Sequence, residues 1–204
     1  VPRISYVDPA TLTDPEAVAI LDRARRFGTP RPESQAIRAH NLPVLKAFDN
    51  AWEVFFRQGL VDHSVKELCR LYVAKSVDCA YCGAQRSVRA AEEGTSEDQV
   101  DEILDFESSD RFDDRERAAL NWAMAIAWDA GLAGDDVWEQ LHAHFTEPEL
   151  VELGNWIALT LGQQRFLKTL QIEHGRVLAD TVAGLAPDAA ETVRDESGSE
   201  SDAA

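Results

Sequence analysis

The apolar residues of this chain recur at spacings of three and four, and almost nothing alternates at two. Leu45, Phe48, Trp52 and Phe55 form one such stripe, and Val65, Leu68, Cys69, Tyr72 and Val73 form another. Leu150, Leu153, Trp156, Ile157, Leu161 and Leu167 form a third. A repeat near 3.6 turns these positions to one side of a helix, whereas a half-buried strand needs a period of two. The fold class expected is all-α, with about eight to nine helices.

Punctuation residues divide the chain. Asp14 and Pro15 open a helix over 14–26, and Asn41-Leu42-Pro43 opens the next, which Gly59 closes. Asp62 is placed to cap a helix over 63–77, and Asp78 to cap one over 79–93 that stops at Gly94. Thr95 or Ser96 caps 97–106, and helices over 114–130 and 135–144 follow. Thr146-Glu147-Pro148-Glu149 starts a long helix running to residue 173. Residues 1–186 read as a single helical domain. Residues 187–204 hold six acids, one arginine and almost no apolar core former, and read as an acidic, disordered tail.

The 204 residues carry a formal net charge of -17, five of these charges in that tail. Nucleic acid and anionic membranes attract basic patches, so neither is an expected partner. No run of about 18 apolar residues exists to span a bilayer, and no apolar signal core follows Val1-Pro2-Arg3-Ile4. Three cysteines, Cys69, Cys79 and Cys82, are too few and too clustered for a disulfide-stapled secreted fold. The expected compartment is the cytoplasm.

Cys79-Ala80-Tyr81-Cys82 carries the most chemistry. Two thiols three residues apart share one face of a helix and can form a disulfide, bind a metal or sit inertly in a core. A zinc site needs about four ligands. Cys69 lies ten residues upstream, and His142 and His144 are far along the chain, so no metal and no cofactor is expected. A helix start at Asp78 would favour a thiolate through its free amides and dipole. Such a thiolate can attack a peroxide or disulfide and be resolved by its neighbour. Cys82 suits the attacking role and Cys79 the resolving one if Cys82 is nearer Glu67 and Arg86. Cys69, beside Leu68 in an apolar stripe, reads as a small core residue.

Glu67 interrupts a largely apolar helix. It can take a proton from the attacking thiol, directly or through water, or form an ion pair with Arg70 or Lys66. Arg86 falls four after Cys82 and seven after Cys79, on the same face of a continuous helix. A guanidinium stays charged, so Arg86 cannot act as a base, but it can stabilise a thiolate, hold Glu67 or bind an anionic substrate. His63, one turn before Glu67, can relay a proton, although a histidine in a first turn is more often solvated. Tyr81, between the thiols, can shield them or donate a hydrogen bond. Arg86, Tyr81 and His63 are the expected substrate contacts; Cys82, Cys79 and Glu67 are the expected catalytic residues.

The run from Lys66-Glu67-Leu68 through Tyr72-Val73-Ala74-Lys75-Ser76 to Cys79-Ala80-Tyr81-Cys82 resembles the carboxymuconolactone decarboxylase / alkylhydroperoxidase AhpD-like family. The twelve residues from Glu67 to Cys79 match the family's spacing, and 112–119 and 149–171 resemble its second half. The resemblance implies an all-helical fold assembling as a homo-oligomer (trimer, hexamer or dimer). It implies a peroxidatic role for Cys82, a resolving role for Cys79 and a proton relay through Glu67. Peroxidase members usually carry a histidine where this chain has Arg86, so the relay lacks one link unless water, His63 or another histidine supplies it.

Three functions stay open. The leading one is a thiol-dependent peroxidase or disulfide oxidoreductase, with a small-molecule substrate and a protein or small-thiol reductant. The second is a lyase, decarboxylase or isomerase acting on an anionic substrate held by Arg86. The third is a non-catalytic structural member of the family.

Overall fold

The computed structural model describes residues 2–178 and 181–201, with side chains to residue 195. Among the described residues there is no strand; there are eleven α-helical segments, eight of them with seven residues or more, besides short 3-10 and π-helical turns. The chain groups into two compact units. The first comprises Val1–Ala51, Ala84–Val88 and Leu167–Ala204; the second comprises Trp52–Gly83 and Arg89–Phe166.

The first unit opens with α1, Pro15–Phe27, capped as the sequence suggests: the Asp14 carboxylate accepts the Ala17 N–H at 2.9 Å. Its inner stripe of Ala17, Ile20 and Leu21 packs against Ala39, beyond α2 (Pro32–Arg38), and against Leu45 of α3 (Leu42–Trp52). Gly28 ends α1 with a φ of 69°. A Cβ there would lie 2.1 Å from the Ala183 carbonyl oxygen, so backbone conformation and space both call for glycine. Composition assigned 187–204 to a disordered tail. In the structure Pro187–Ser201 form α11, whose Ala190 and Val193 are buried against Leu185. Residues 202–204 lie outside the described residues.

The second unit is built around α4, His63–Ser76, which packs on α8, Asp114–Ala127. α8 in turn packs on α9, Asp135–His144, and α10, Glu147–Lys168, passes Gly162 without a break. α7, Glu97–Asp101, and α8 start on capping boxes, Ser96 with Gln99 and Asp113 with Glu116. α4 is buried almost all round, from Val65 to Ala74 and again at His63. Its polar residues therefore need partners inside the protein. Lys66 Nζ meets Glu152 Oε1 at 2.9 Å and the Gln58 carbonyl at 2.5 Å. The Lys66 carbonyl accepts the indole N–H of Trp156 at 2.8 Å. Asp62 stands at the N-cap of α4, but its carboxylate accepts from Arg115 at 3.0 Å, with no cap bond.

Candidate redox site

α4 ends in a closed turn that delivers the cysteines. The N–H of Asp78 reaches the Lys75 carbonyl at 3.1 Å, and the N–H of Cys79 reaches back to the Ala74 carbonyl at 2.9 Å. This pair of bonds is a Schellman closure, and it puts Asp78 in the left-handed region at φ 51°. Asp78 thus closes α4, in place of the cap it was expected to provide for a helix over 79–93. Aspartate tolerates this conformation better than most residues with a Cβ.

The chain then makes one helical turn, α5 (Ala80–Gly83), whose first bond runs from the Gly83 N–H to the Cys79 carbonyl at 2.8 Å. Cys79 and Cys82 are joined by a disulfide across this turn, their Cα atoms 5.3 Å apart. The Cys82 N–H also donates to Cys79 Sγ at 3.3 Å. Cys79, Tyr81 and Cys82 are all buried.

The continuous helix expected over 79–93 is absent. α5 stops at Gly83 and α6 spans only Val88–Glu92. Between them the Ala84 carbonyl accepts the Ala186 N–H, and the Arg86 N–H donates to the Gly184 carbonyl, both at 2.8 Å. Gln85 and Leu185 form an isolated antiparallel bridge. A backbone drawn into these bonds cannot also make helical ones. This corrects the register that would align Arg86 with both cysteines. The Arg86 guanidinium donates to the Gln85 carbonyl at 2.9 Å, and its own carbonyl accepts from Thr29 at 3.1 Å. A one-turn α5 also lacks the aligned peptides that the expected helix dipole requires.

Glu67 forms a two-point ion pair with Arg70. Nε and Nη2 of the guanidinium donate to its two carboxylate oxygens, each at 2.7 Å. The remaining Arg70 nitrogen, Nη1, donates to the Cys82 carbonyl at 2.9 Å. Gln164 donates to the Arg70 carbonyl at 3.0 Å and fixes the main chain behind it. The expectation that Glu67 accepts a thiol proton therefore meets a carboxylate whose two oxygens each accept a guanidinium N–H. Ion pairing of Glu67 with Arg70 was one of the two sequence readings. The reach of Arg70 to Cys82 had no sequence signal, because it spans two elements joined by a sharp turn.

His63 is buried, where a first-turn histidine was expected to be solvated. Its Nδ1 lies 2.9 Å from the Phe56 carbonyl, and because a carbonyl can only accept, Nδ1 carries the proton. Burial holds the imidazole below its usual range, opposed by the negative charge of Glu67. Phe56 belongs to a π-helical turn, Glu53–Arg57, which the sequence reading merged with the preceding helix. Cys69 is buried and unbridged, and burial pushes its thiol strongly up, as a core residue requires.

This helical fold is similar to that of solved structures described as AhpD-like. Residues 43–125 match the family model described as Carboxymuconolactone decarboxylase family. Rv2313c of Mycobacterium tuberculosis, a protein without an assigned function, is 32% identical over 132 residues. The match covers 60% of this chain and 46% of that protein, so the chain spans about half the relative's length. Among solved structures, the alkylhydroperoxidase AhpD core of a peroxidase-related protein from Ralstonia eutropha superposes with a TM-score of 0.70 at 18% identity. It covers 83% of this chain and 90% of its own. The debrominase Bmp8, solved as a cysteine-to-alanine variant with 2,3,4-tribromopyrrole, gives a TM-score of 0.69 at 18% identity, covering 96% and 99%. At such identities these structures attest the fold alone. No helix of the described residues is long and apolar enough to cross a membrane.

Proposed function

We propose that the protein is a dithiol–disulfide oxidoreductase of this family that reduces hydroperoxides in the cytoplasm. The observation that carries the reading is the buried Cys79–Cys82 disulfide, held on a single turn against the Glu67–Arg70 pair. Two sulfurs in one turn can cycle between dithiol and disulfide with little movement of the backbone around them.

In the oxidising half, the Cys82 thiolate attacks the outer oxygen of a hydroperoxide. The O–O bond breaks, the alcohol leaves with a proton, and Cys82 becomes a sulfenic acid. The Cys79 thiol then attacks the Cys82 sulfur, an S–S bond forms and water leaves. A thiol or dithiol reductant returns two electrons and two protons by exchange, through a mixed disulfide. Tyr81, buried within the turn, His63, buried at the start of α4, and Arg86 are proposed to contact the substrate, and the active form is proposed to be a homo-oligomer.

The test starts from reduced protein mixed with tert-butyl hydroperoxide, with dithiothreitol as reductant. Wild type re-forms the disulfide and turns over peroxide, while Cys82→Ser loses both. Turnover that survives Cys79→Ser/Cys82→Ser would remove the reading. A brominated pyrrole, the kind of ligand seen with the debrominase of similar fold, is the second acceptor to test, since its debromination also consumes two electrons.

A further inference from the structure

Arg70 is where the buried charges meet the cysteine turn. One edge of its guanidinium is taken by Glu67, at 2.7 Å on two bonds, and another nitrogen is 2.9 Å from the Cys82 carbonyl. Glu67, Arg70 and Cys82 are 1%, 2% and 2% exposed, so almost no water screens these charges. The guanidinium thus lies between the carboxylate and the turn, with the positive end of the ion pair against Cys82. A guanidinium remains charged throughout the pH range in which proteins fold. Of the other sources of positive potential expected at the thiols, α5 is too short for a helix dipole, and the Arg86 guanidinium donates to the Gln85 carbonyl.

We propose that Arg70, held by Glu67, is the positioning residue that stabilises negative charge on the Cys82 sulfur once the disulfide is reduced. The proposal rests on the dithiol reading and gives it a charge-control element. Reduction breaks the S–S bond with two electrons from the reductant, and the sulfur nearer the guanidinium keeps its electron pair as thiolate while the other takes a proton. The arrangement also gives the ion pair a structural use, because the same bond ties α4 to the turn.

Other charged groups lie on the neighbouring elements. His63 and Lys66 lie on α4 and Arg89 on α6, and Glu152 of α10 neutralises Lys66. In the π-helical turn, Glu53 and Arg57 pair with each other at 2.8 Å. Burial keeps His63 neutral above its usual imidazole range, so its charge stays constant while thiols titrate.

The experiment titrates the reduced full-length protein by the ultraviolet absorbance of thiolate, which needs no substrate. Cys69 stays silent because burial pushes its thiol up and out of the range. In Glu67→Gln/Arg70→Gln, which leaves no unpaired buried charge, the acid dissociation constant of the first thiol should fall about tenfold. Arg70→Lys, which keeps the charge, should recover most of that loss. Glu67→Gln alone leaves the guanidinium less neutralised and should raise the constant. A double variant with an unchanged or increased constant overturns the proposal, as does a Glu67→Gln value that stays level or falls. A purely structural Arg70 would change stability and leave both constants in place. If Cys79→Ser/Cys82→Ser kept its peroxide turnover, the dithiol reading would fall, and the titration would still decide the part played by Arg70.

Discussion

His63 donates its Nδ1 proton to the carbonyl of Phe56 at 2.9 Å, and that carbonyl comes from a π-helical turn. In the turn the Gln58 N–H bonds the Glu53 carbonyl, five residues back, at 2.9 Å. The helix does not go on to take up the Phe56 carbonyl, because the N–H groups of Leu60 and Val61 are accepted by Glu152, at 2.6 and 3.2 Å. One irregular turn thereby sets the histidine's tautomer next to Glu67.

Burial keeps His63 neutral, so folding should weaken as the solution is acidified. Its folded pKa lies below the ordinary imidazole value of about 6.5, so below that pH the unfolded chain binds the extra proton. The stabilising contribution is complete above about 6.5 and is lost as pH falls toward the folded value. Urea unfolding of wild type and His63→Gln across this window should show a steeper loss in wild type. Parallel curves would contradict the assignment.

Removing one partner of the Glu67–Arg70 pair strands a buried charge. Glu67→Ala and Arg70→Ala should each cost about 3–5 kcal/mol. The double substitution should cost well under the sum, because it leaves no uncompensated ion. A double-mutant cycle by denaturant unfolding measures this, and simple additivity would show that the two side chains do not depend on each other.

Glu152 joins α10 to the loop after the π-turn through Lys66 and the two N–H groups of Leu60 and Val61. Glu152→Ala leaves Lys66 buried without its counter-charge and should lower stability by about 3 kcal/mol. Amide exchange should quicken at Leu60 and Val61, and exchange that stayed at the wild-type rate would place their protection elsewhere.

Gly28→Ala sets a methyl 2.1 Å from the Ala183 oxygen at a φ of 69°. The strain and the clash together should exceed about 1 kcal/mol, more than an exposed substitution costs. Thermal unfolding of this variant should begin earlier, and a wild-type midpoint would mean that the contact with Ala183 yields easily.

Helices were legible wherever burial and caps agreed. The Asp14 cap, the Ser96 cap and the uninterrupted α10 all follow from side chains acting within a few residues of themselves. The departures occur where a distant partner competes for the same backbone or side chain. Asp62 could cap α4, but Arg115, 53 residues away, takes its carboxylate. Residues 84–88 carry helical spacing, yet their backbone bonds to 184–186.

The sequence by itself determined an all-α fold, a Cys79–Cys82 pair able to bridge and a glutamate one helix earlier, because periodicity and spacing are properties of the chain. Only the tertiary structure decided which charge reaches the cysteine turn. A sharp turn at Asp78 carries Cys82 back over α4, so that Arg70, twelve residues upstream, becomes its neighbour, while Arg86, four residues downstream, loses the helical register that had aligned it.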